Sequence, residues 1–435
     1  MTNLTAVRRW LPEASGAGWP MLVFLISASV MVASAVAGNR LLPGVSTRGF
    51  RFFDLRIYRE AAEVAMRGGA LYRARFTLGF GFTYPPVAAL LFGLLALFPL
   101  RVDEVAIVLL NVGFVTAIAQ LSVRLGRISG LPRSGRPARP GLAWIAAAVA
   151  LWTEPVISTI GYGQIDLLLV VLVLADLVLG PNARWGGLGI GAAAALKLTP
   201  LIFIPYLALT GRIRMAGRAL GAFVASIAVA FMALPRDAWS YWAGALLDTS
   251  RVTGHRRYAG RGPANQSLRG ALMRLGGDVS HVGDVWLGLA ALTGASGLWL
   301  AGRAGRRGNE ALGFTLTAIT GLLICPVSWT HHWVIALPGL LLVLMFPPPG
   351  LWGRVLAVLT ALLAAGSPEI WLVIREDPGG GRLGAGGLLL GDLYVIVGVV
   401  VILTAAALEL RRRGGDPPLR RRGPRAAAPR APSRA

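Results

Sequence analysis

The chain has little of what soluble enzymes commonly depend on. One cysteine, Cys325, stands among 435 residues, so no intrachain disulfide can form. It lies inside an apolar run and reads as a small packing residue rather than a nucleophile. Charge is scarce too: charged residues make up 14% of the chain, against roughly 25% in an average soluble protein. Acids are fewest, 20 Asp and Glu against 43 Lys and Arg. There is no P-loop, no GxSxG elbow and no dinucleotide fingerprint. The Gly-rich stretch GRLGAGG at 381–387 has no strand before it and reads as a flexible turn. No soluble nucleotide-sugar domain is visible, so an externally facing enzyme would need a donor delivered in the membrane. The two halves show no repeat, whereas many transporter folds are built from inverted repeats.

Hydrophobic residues, by contrast, make up 55%. Apolar runs of roughly 16–23 residues recur, which points to an all-α polytopic membrane protein. The net charge of +23 could suggest nucleic acid. The arginines, however, sit between the apolar runs and in the tail, as positive-inside anchors do. Spans are expected near 20–38, 104–124, 142–159, 164–180, 185–197, 199–211, 216–234, 284–302, 310–326, 332–347, 351–366 and 388–410, about a dozen in all. The first follows Arg8 and Arg9 and reads as an uncleaved span rather than a signal peptide. The runs 185–197 and 199–211 each reach only about 20 Å as helices and are expected to form a broken hairpin.

Charge orients the chain. The loop 124–140 carries five arginines and no acid, so it is expected in the cytoplasm with the N-terminus. Two crossings must separate the two, which leaves 83–99 as a helix in or on the outer leaflet. Residues 1–410 then form one multi-span unit with long outer loops at 39–103 and 235–283. Residues 411–435 form a disordered basic cytoplasmic tail touching anionic lipid headgroups.

With this topology the unusual polar residues gather on the outer face. Residues 54–67 read as an amphipathic surface helix led by Asp54. Asp54 has two readings. It is an N-cap, or a general base whose pKa partial burial would raise. Lys197, in LKLTP, either snorkels to the headgroups or meets a lipid phosphate or diphosphate. Gln164 and Asp166, in GYGQID, open a span. Asp166 reads as a packing partner or as a sugar contact. His331 and His332, in CPVSWTHHW, lack metal-ligand spacing, so no metal is expected. They read as phosphate or hydroxyl contacts, or as interfacial packing. Asn265 and Gln266 lie in NQSLRG. Arg256, Arg257, Arg261 and Arg269 suit an anionic headgroup or a leaving phosphate, or form a solvated charge run. Asp176 reads as structural.

FFDLRIYREAAEVAMRGGALY, FTYPPVAALLF, GQIDLLL, ALKLTPLIFIPYL, NQSLRG and PVSWTHHWV together resemble the polyprenol-phosphate-mannose-dependent α-1,2-mannosyltransferases of actinobacteria. The resemblance runs from about residue 50 to 340. It implies the GT-C glycosyltransferase fold. It also implies a polyprenyl-phosphate-mannose donor used on the outer face of the plasma membrane. The acceptor would be a mannosylated glycolipid, a phosphatidylinositol mannoside or a lipomannan-type chain. Asp54 takes the position of the family's catalytic base, and the family's functional histidine fits His331 or His332. Lys197, the two histidines, Arg256 and Arg269 would hold the donor phosphate. Tyr58, Tyr84, Gln164, Asp166, Asn265 and Gln266 would contact substrate. The competing readings are a flippase or transporter of a lipid-linked sugar, and the same fold moving another sugar such as arabinose.

Overall fold

The computed structural model describes residues 18–37, 51–131, 141–248, 251, 262–276, 279–346 and 385–415. Every regular element among them is helical. The order begins with α1 (Gly18–Val36), α2 (Phe53–Met66), α3 (Pro86–Phe92) and the long α4 (Leu100–Ile128). Next come α5 (Leu142–Leu151), α6 (Glu154–Tyr162), α7 (Asp166–Leu179), α8 (Leu188–Leu196), α9 (Phe203–Leu209) and α10 (Ile213–Ala233). The short α11 (Pro235–Ser240) and α12 (Leu268–Arg274) precede α13 (Val279–Arg306) and α14 (Glu310–Ile324). A 3₁₀ stretch, Thr330–Ala336, leads into α15 (Leu337–Met345). After it come α16 (Ala385–Gly391) and α17 (Leu393–Gly415).

Local chemistry explains where helices break. Pro155 lacks an N–H and would clash with the preceding turn, so α5 cannot run on. It serves instead in the first turn of α6, which leaves α5 at an angle of 64°. Lys197 adopts an extended conformation (φ −150°, ψ 132°) and ends α8, and Thr199-Pro200 starts a 3₁₀ turn into α9. The broken hairpin expected at 185–211 is therefore present.

Among the described residues, five helices are long and apolar enough to cross a membrane, α1, α4, α10, α13 and α17, or six if the bent α5–α6 pair counts as one span. Their outer faces carry large exposed side chains, such as Leu22 and Ile26 on α1 and Leu287 and Leu292 on α13. Such surface is unfavourable in water but costs nothing against lipid tails. The protein is an all-helical, multi-pass membrane protein.

Set against these five or six helices of spanning length among the described residues are about a dozen expected spans, two of which, 185–197 and 199–211, are expected to form a broken hairpin. At 1.5 Å per residue, α7, α8, α9, α14 and α15, with 14, 9, 7, 15 and 9 residues, are too short to cross alone. Hydropathy sees the apolar content of these segments but not their breaks. The segment 83–99 is broken as well: α3 has 7 residues and passes into a 3₁₀ turn at Gly93. The expected span 351–366 and the tail beyond 415 lie outside the described residues. The short helices form the interior, with α7 packed against α4, α8 and the Thr330–Ala336 turn.

Candidate active site

α2 is built as its sequence pattern dictates, but its apolar face is not turned to lipid. Leu55, Ile57, Tyr58, Ala61, Ala62 and Ala65 are buried inside the protein. The polar stripe is tied down on the other side. Arg56 bonds Glu104 at 3.0 Å, and Arg59 pairs with Asp103, both acids lying at the start of α4. The expected surface helix is thus clamped into the protein.

Asp54 is not an N-cap. The capping position belongs to Phe52, buried and held in the left-handed region (φ 47°, ψ 39°) with no side-chain cap. A bulky residue there costs of order 1–3 kcal/mol and persists only where its surroundings fix it. The Phe52 amide supplies that fixing, donating to Gly161 O at 2.9 Å on the last turn of α6. Asp54 follows on the first turn of α2, with its carboxylate directed at Gln164.

Gln164 is reached through Gly163, which ends α6 at φ 71°. The Gln164 amide N–H donates to Thr159 O at 2.9 Å, and its carbonyl accepts from Asn111 Nδ2 at 3.2 Å. Its side chain is the centre of the site. Nε2 donates to Asp54 Oδ2 at 2.7 Å and lies 3.3 Å from His331 Nε2. Oε1 accepts from Tyr58 Oη at 2.5 Å and Tyr84 Oη at 2.8 Å, and the two hydroxyls are 2.7 Å apart. Tyr58 stacks on Phe92 of α3 at 4.2 Å.

A cation stands beside this group. Lys197 Nζ bonds Asp166 Oδ1 at 2.7 Å and lies 5.5 Å from the centre of the Tyr84 ring. Asp166 opens α7 directly after the Gln164 turn. Its Oδ2 is buried without a hydrogen-bond partner among the described residues, as is Nδ1 of His332. A cavity adjoins Asp166, Lys197 and His332, walled by apolar side chains including Leu169, Ile202, Leu322 and Ile335.

The two histidines occupy different places. His331 is buried, edge-on to Tyr162 at 5.4 Å and next to the Gln164 amide. His332 faces the Lys197 cavity. A short bridge carries both. Asn265 pairs with Trp329, Gln266 N donates to Ser328 O at 2.6 Å, and Thr330 N donates to Ala264 O at 3.1 Å.

Electrostatics favour a base at Asp54. Burial pushes its carboxyl up to about 7 from the ordinary 3.8, and Asp166 adds to the rise. The Gln164 hydrogen bond and the Lys197 charge offset part of it. A carboxylate near 7 suits proton abstraction at neutral pH. Asp166, His331 and His332 bring three metal-type donor atoms within 4.8 Å of one another, which the adjacent histidines did not foretell. The Lys197 ammonium already occupies this ground. A cation placed about 4 Å from it meets roughly 4 kcal/mol of repulsion per unit charge at the effective dielectric of such sites. An anion fits better.

The remaining candidate residues stand as follows. Asn265 and Gln266, expected at the substrate, are fully buried and serve the backbone. Asn265 Oδ1 accepts from Ser328 N at 2.9 Å. Gln266 Nε2 donates to Pro263 O and Gly391 O, and its Oε1 accepts from Tyr394 N at 3.0 Å. Tyr58, Tyr84 and Gln164, also expected at substrate, spend their polar atoms on one another. Arg269 is half-buried on α12 and, among the described residues, makes no hydrogen bond or ion pair with the Asp54–Gln164–Lys197–His331 group. Arg256 lies outside the described residues. Asp176 is structural, as its place in the sequence suggested: Oδ2 accepts from Ile190 N at 2.8 Å. One signal was missed. Lys197 is the only lysine among the 43 basic residues. The partner role of Asn111, deep in α4, had no local signal.

Comparison with known proteins assigns this chain to a family. The profile of glycosyltransferase family 87 matches residues 82–328. A polyprenol-phosphate-mannose-dependent alpha-(1-2)-phosphatidylinositol mannoside mannosyltransferase of Mycobacterium tuberculosis is 33% identical over 308 residues, 67% of this chain and 69% of its own. A Mycolicibacterium smegmatis protein of the same description is 31% identical over 404 residues, 85% of this chain and 86% of its own. A phosphatidylinositol pentamannoside mannosyltransferase of M. tuberculosis is 31% identical over 370 residues, 80% and 81% of the two chains. Among solved structures, ArnT from Cupriavidus metallidurans bound to undecaprenyl phosphate overlaps 93% of this chain and 82% of its own. The TM-score is 0.38 and the identity 15%, too loose an overlap to argue from. The profile spans more than half of the chain, and the chain belongs to glycosyltransferase family 87 as a membrane-embedded glycosyltransferase.

Proposed function

We propose that the protein is an inverting α-1,2-mannosyltransferase of the GT-C fold. It moves mannose from polyprenyl-phosphate-mannose to the 2-hydroxyl of a mannosylated glycolipid, of the phosphatidylinositol mannoside or lipomannan type. The relatives' described activities support this reading, as does the family model that the chain matches. The observation that carries it is the meeting of an elevated carboxylate, Asp54, with a single lysine beside an apolar cavity. The site lies on the outer face of the plasma membrane, with both termini in the cytoplasm; the arginine distribution supports that orientation.

In the reaction the acceptor oxygen attacks the anomeric carbon and its proton passes to Asp54. The bond from that carbon to the phosphate oxygen breaks, and polyprenyl phosphate leaves from the opposite face with the bonding electrons. A β-linked mannose becomes α-linked. A phosphate leaves well without a general acid, so one carboxylate suffices, unlike the two carboxyls of glycoside hydrolases. Lys197 and His332 face the cavity and stabilise the leaving phosphate, while the apolar wall takes the first isoprene units. The donor has no phosphoanhydride to brace, and the lysine already supplies positive charge.

Family membership disfavours the transporter reading. The test is transfer in membranes fed polyprenyl-phosphate-[¹⁴C]mannose and a phosphatidylinositol mannoside acceptor. Asp54→Asn should insert normally and transfer nothing. Normal transfer by that variant would remove Asp54 as the base. A wild-type protein that ignores this donor but accepts polyprenyl-phosphate-arabinose would change the sugar and keep the fold.

A further inference from the structure

Gln164 uses all its hydrogen-bonding capacity on the groups around the reaction centre. A primary amide has two N–H donors and two acceptor lone pairs. Here the donors face Asp54 Oδ2 at 2.7 Å and His331 Nε2 at 3.3 Å, and the oxygen faces the Tyr58 and Tyr84 hydroxyls. The chemistry of the partners fixes which way the amide points. An ionised carboxylate can only accept, so nitrogen must face Asp54. Two phenols can donate, so oxygen must face the tyrosines. The backbone of Gln164 is held from both sides by Thr159 O and Asn111 Nδ2, and the residue is 4% exposed. A side chain so fixed imposes its geometry on its neighbours.

Two consequences follow. One oxygen of Asp54 accepts from Gln164, which leaves Oδ1 as the less encumbered site for the proton taken from an acceptor. The second N–H of the amide points at His331 Nε2, which must then be the acceptor nitrogen of a neutral ring protonated on Nδ1. We propose that Gln164 is the positioning residue of this active site: it holds Asp54 Oδ2, presents Oδ1 to the acceptor hydroxyl and sets the tautomer of His331. The inference rests on the mannosyl-transfer reading for its kinetic test but not for its spectroscopic one. Titratable groups around Asp54 are Tyr58, Tyr84, Asp166, Lys197 and His331.

A hydrogen bond to the charged form of a carboxylate favours that form, so losing it raises the pKa of the base. Gln164→Leu should lower kcat by about 10–100-fold and leave the donor KM within about twofold. It should move the acid limb of the pH–rate profile upward by roughly one pH unit. Gln164→Glu keeps the size and an acceptor for the tyrosines, and it covers the case in which the leucine variant fails to fold. It should lose kcat and shift the limb at least as far, since a second carboxyl now faces Asp54. The spectroscopic readout is pH-difference infrared of the purified full-length protein, with the Asp54 carboxyl band assigned by its loss in Asp54→Asn. Its titration should move upward in both variants. Folded variants whose acid limb and Asp54 band titrate as in wild type, with losses confined to thermal stability, would overturn the proposal. A wild type that transfers no mannose overturns the substrate assignment instead, and the infrared titration still decides the role of Gln164.

Discussion

Gly163→Ala tests whether the Gln164 turn sets the position of Asp54, the proposed base. A methyl added there would stand 2.7 Å from Leu55 Cβ and 3.4 Å from Phe52 Cδ1. Carbon atoms rest about 3.5–4.0 Å apart, so α2 and the turn must separate by roughly 1 Å. Leu55 is the neighbour of Asp54, and the displacement reaches the carboxylate. The 2.7 Å bond from Gln164 Nε2 to Asp54 Oδ2 then stretches beyond useful range. A 1 Å misplacement of a reacting group costs on the order of 100-fold in rate. Stability should fall by about 2–4 kcal/mol, from overpacking and from the left-handed φ of 71°. Gly130→Ala is the control. It has a φ of 76° with nothing within 4 Å of the added carbon, so only the backbone cost of about 1–2 kcal/mol applies. Both variants are assayed for kcat at saturating donor and for thermal unfolding by tryptophan fluorescence. A wild-type kcat in Gly163→Ala would refute the coupling. Equal rate losses in the two variants would refute it as well, since stability alone would then set the rate.

Three more outcomes follow from the same geometry. Lys197→Met strands the buried Asp166 carboxylate and should cost about 3–5 kcal/mol of stability. Adding Asp166→Leu should restore most of that stability while transfer stays about 10²–10³-fold down; recovered transfer in the double variant would remove Lys197 from phosphate stabilisation. Asp54 binds its proton more tightly when folded, about 7 against 3.8, so ionising it erodes stability as pH rises between those values. Asp54→Asn should therefore unfold at a higher temperature than wild type at about pH 8, with the gain fading near pH 4, while wild-type transfer should climb with pH through about 7. A gain that is the same at both pH values would contradict the raised pKa. Asn265→Ala leaves the Ser328 amide without its acceptor and should cost about 1–3 kcal/mol with the donor KM unchanged; a raised KM at full stability would return Asn265 to the substrate.

The readable parts of the sequence were those set by local pattern. The apolar and charged stripes of 54–67 gave α2 almost to the residue, Phe53–Met66. Pro200 beside Lys197 marked the break between α8 and α9. What could not be read was decided by contacts far along the chain. Phe52 takes the capping position because its amide reaches Gly161, more than a hundred residues away. Asn265 and Gln266 look like ligand-binding amides in an outer loop. The bridge to Trp329 and the neighbouring Tyr394 turn them into backbone ties. The arrangement of Gln164 is likewise tertiary, since its four side-chain partners come from α2, the segment before α3 and the Thr330–Ala336 turn.

The chemistry sits where helices stop, and the solvent explains why. Inside an apolar bundle each backbone group freed at a helix break must find a partner in the protein. Gln164 O finds Asn111, Phe52 N finds Gly161 O, and Thr330 N finds Ala264 O. Those partners lie beside Asp54, Gln164 and His331, so the contacts that satisfy the breaks also hold the side chains of the candidate site. An unbroken helix would need no such contacts, but its side chains would be committed to packing. The short helices α6 to α9 trade span length for polar ends gathered around one site. Asn111 thereby supports the candidate site from behind. It satisfies the carbonyl of the turn that carries Gln164, and through Gln164 it reaches Asp54.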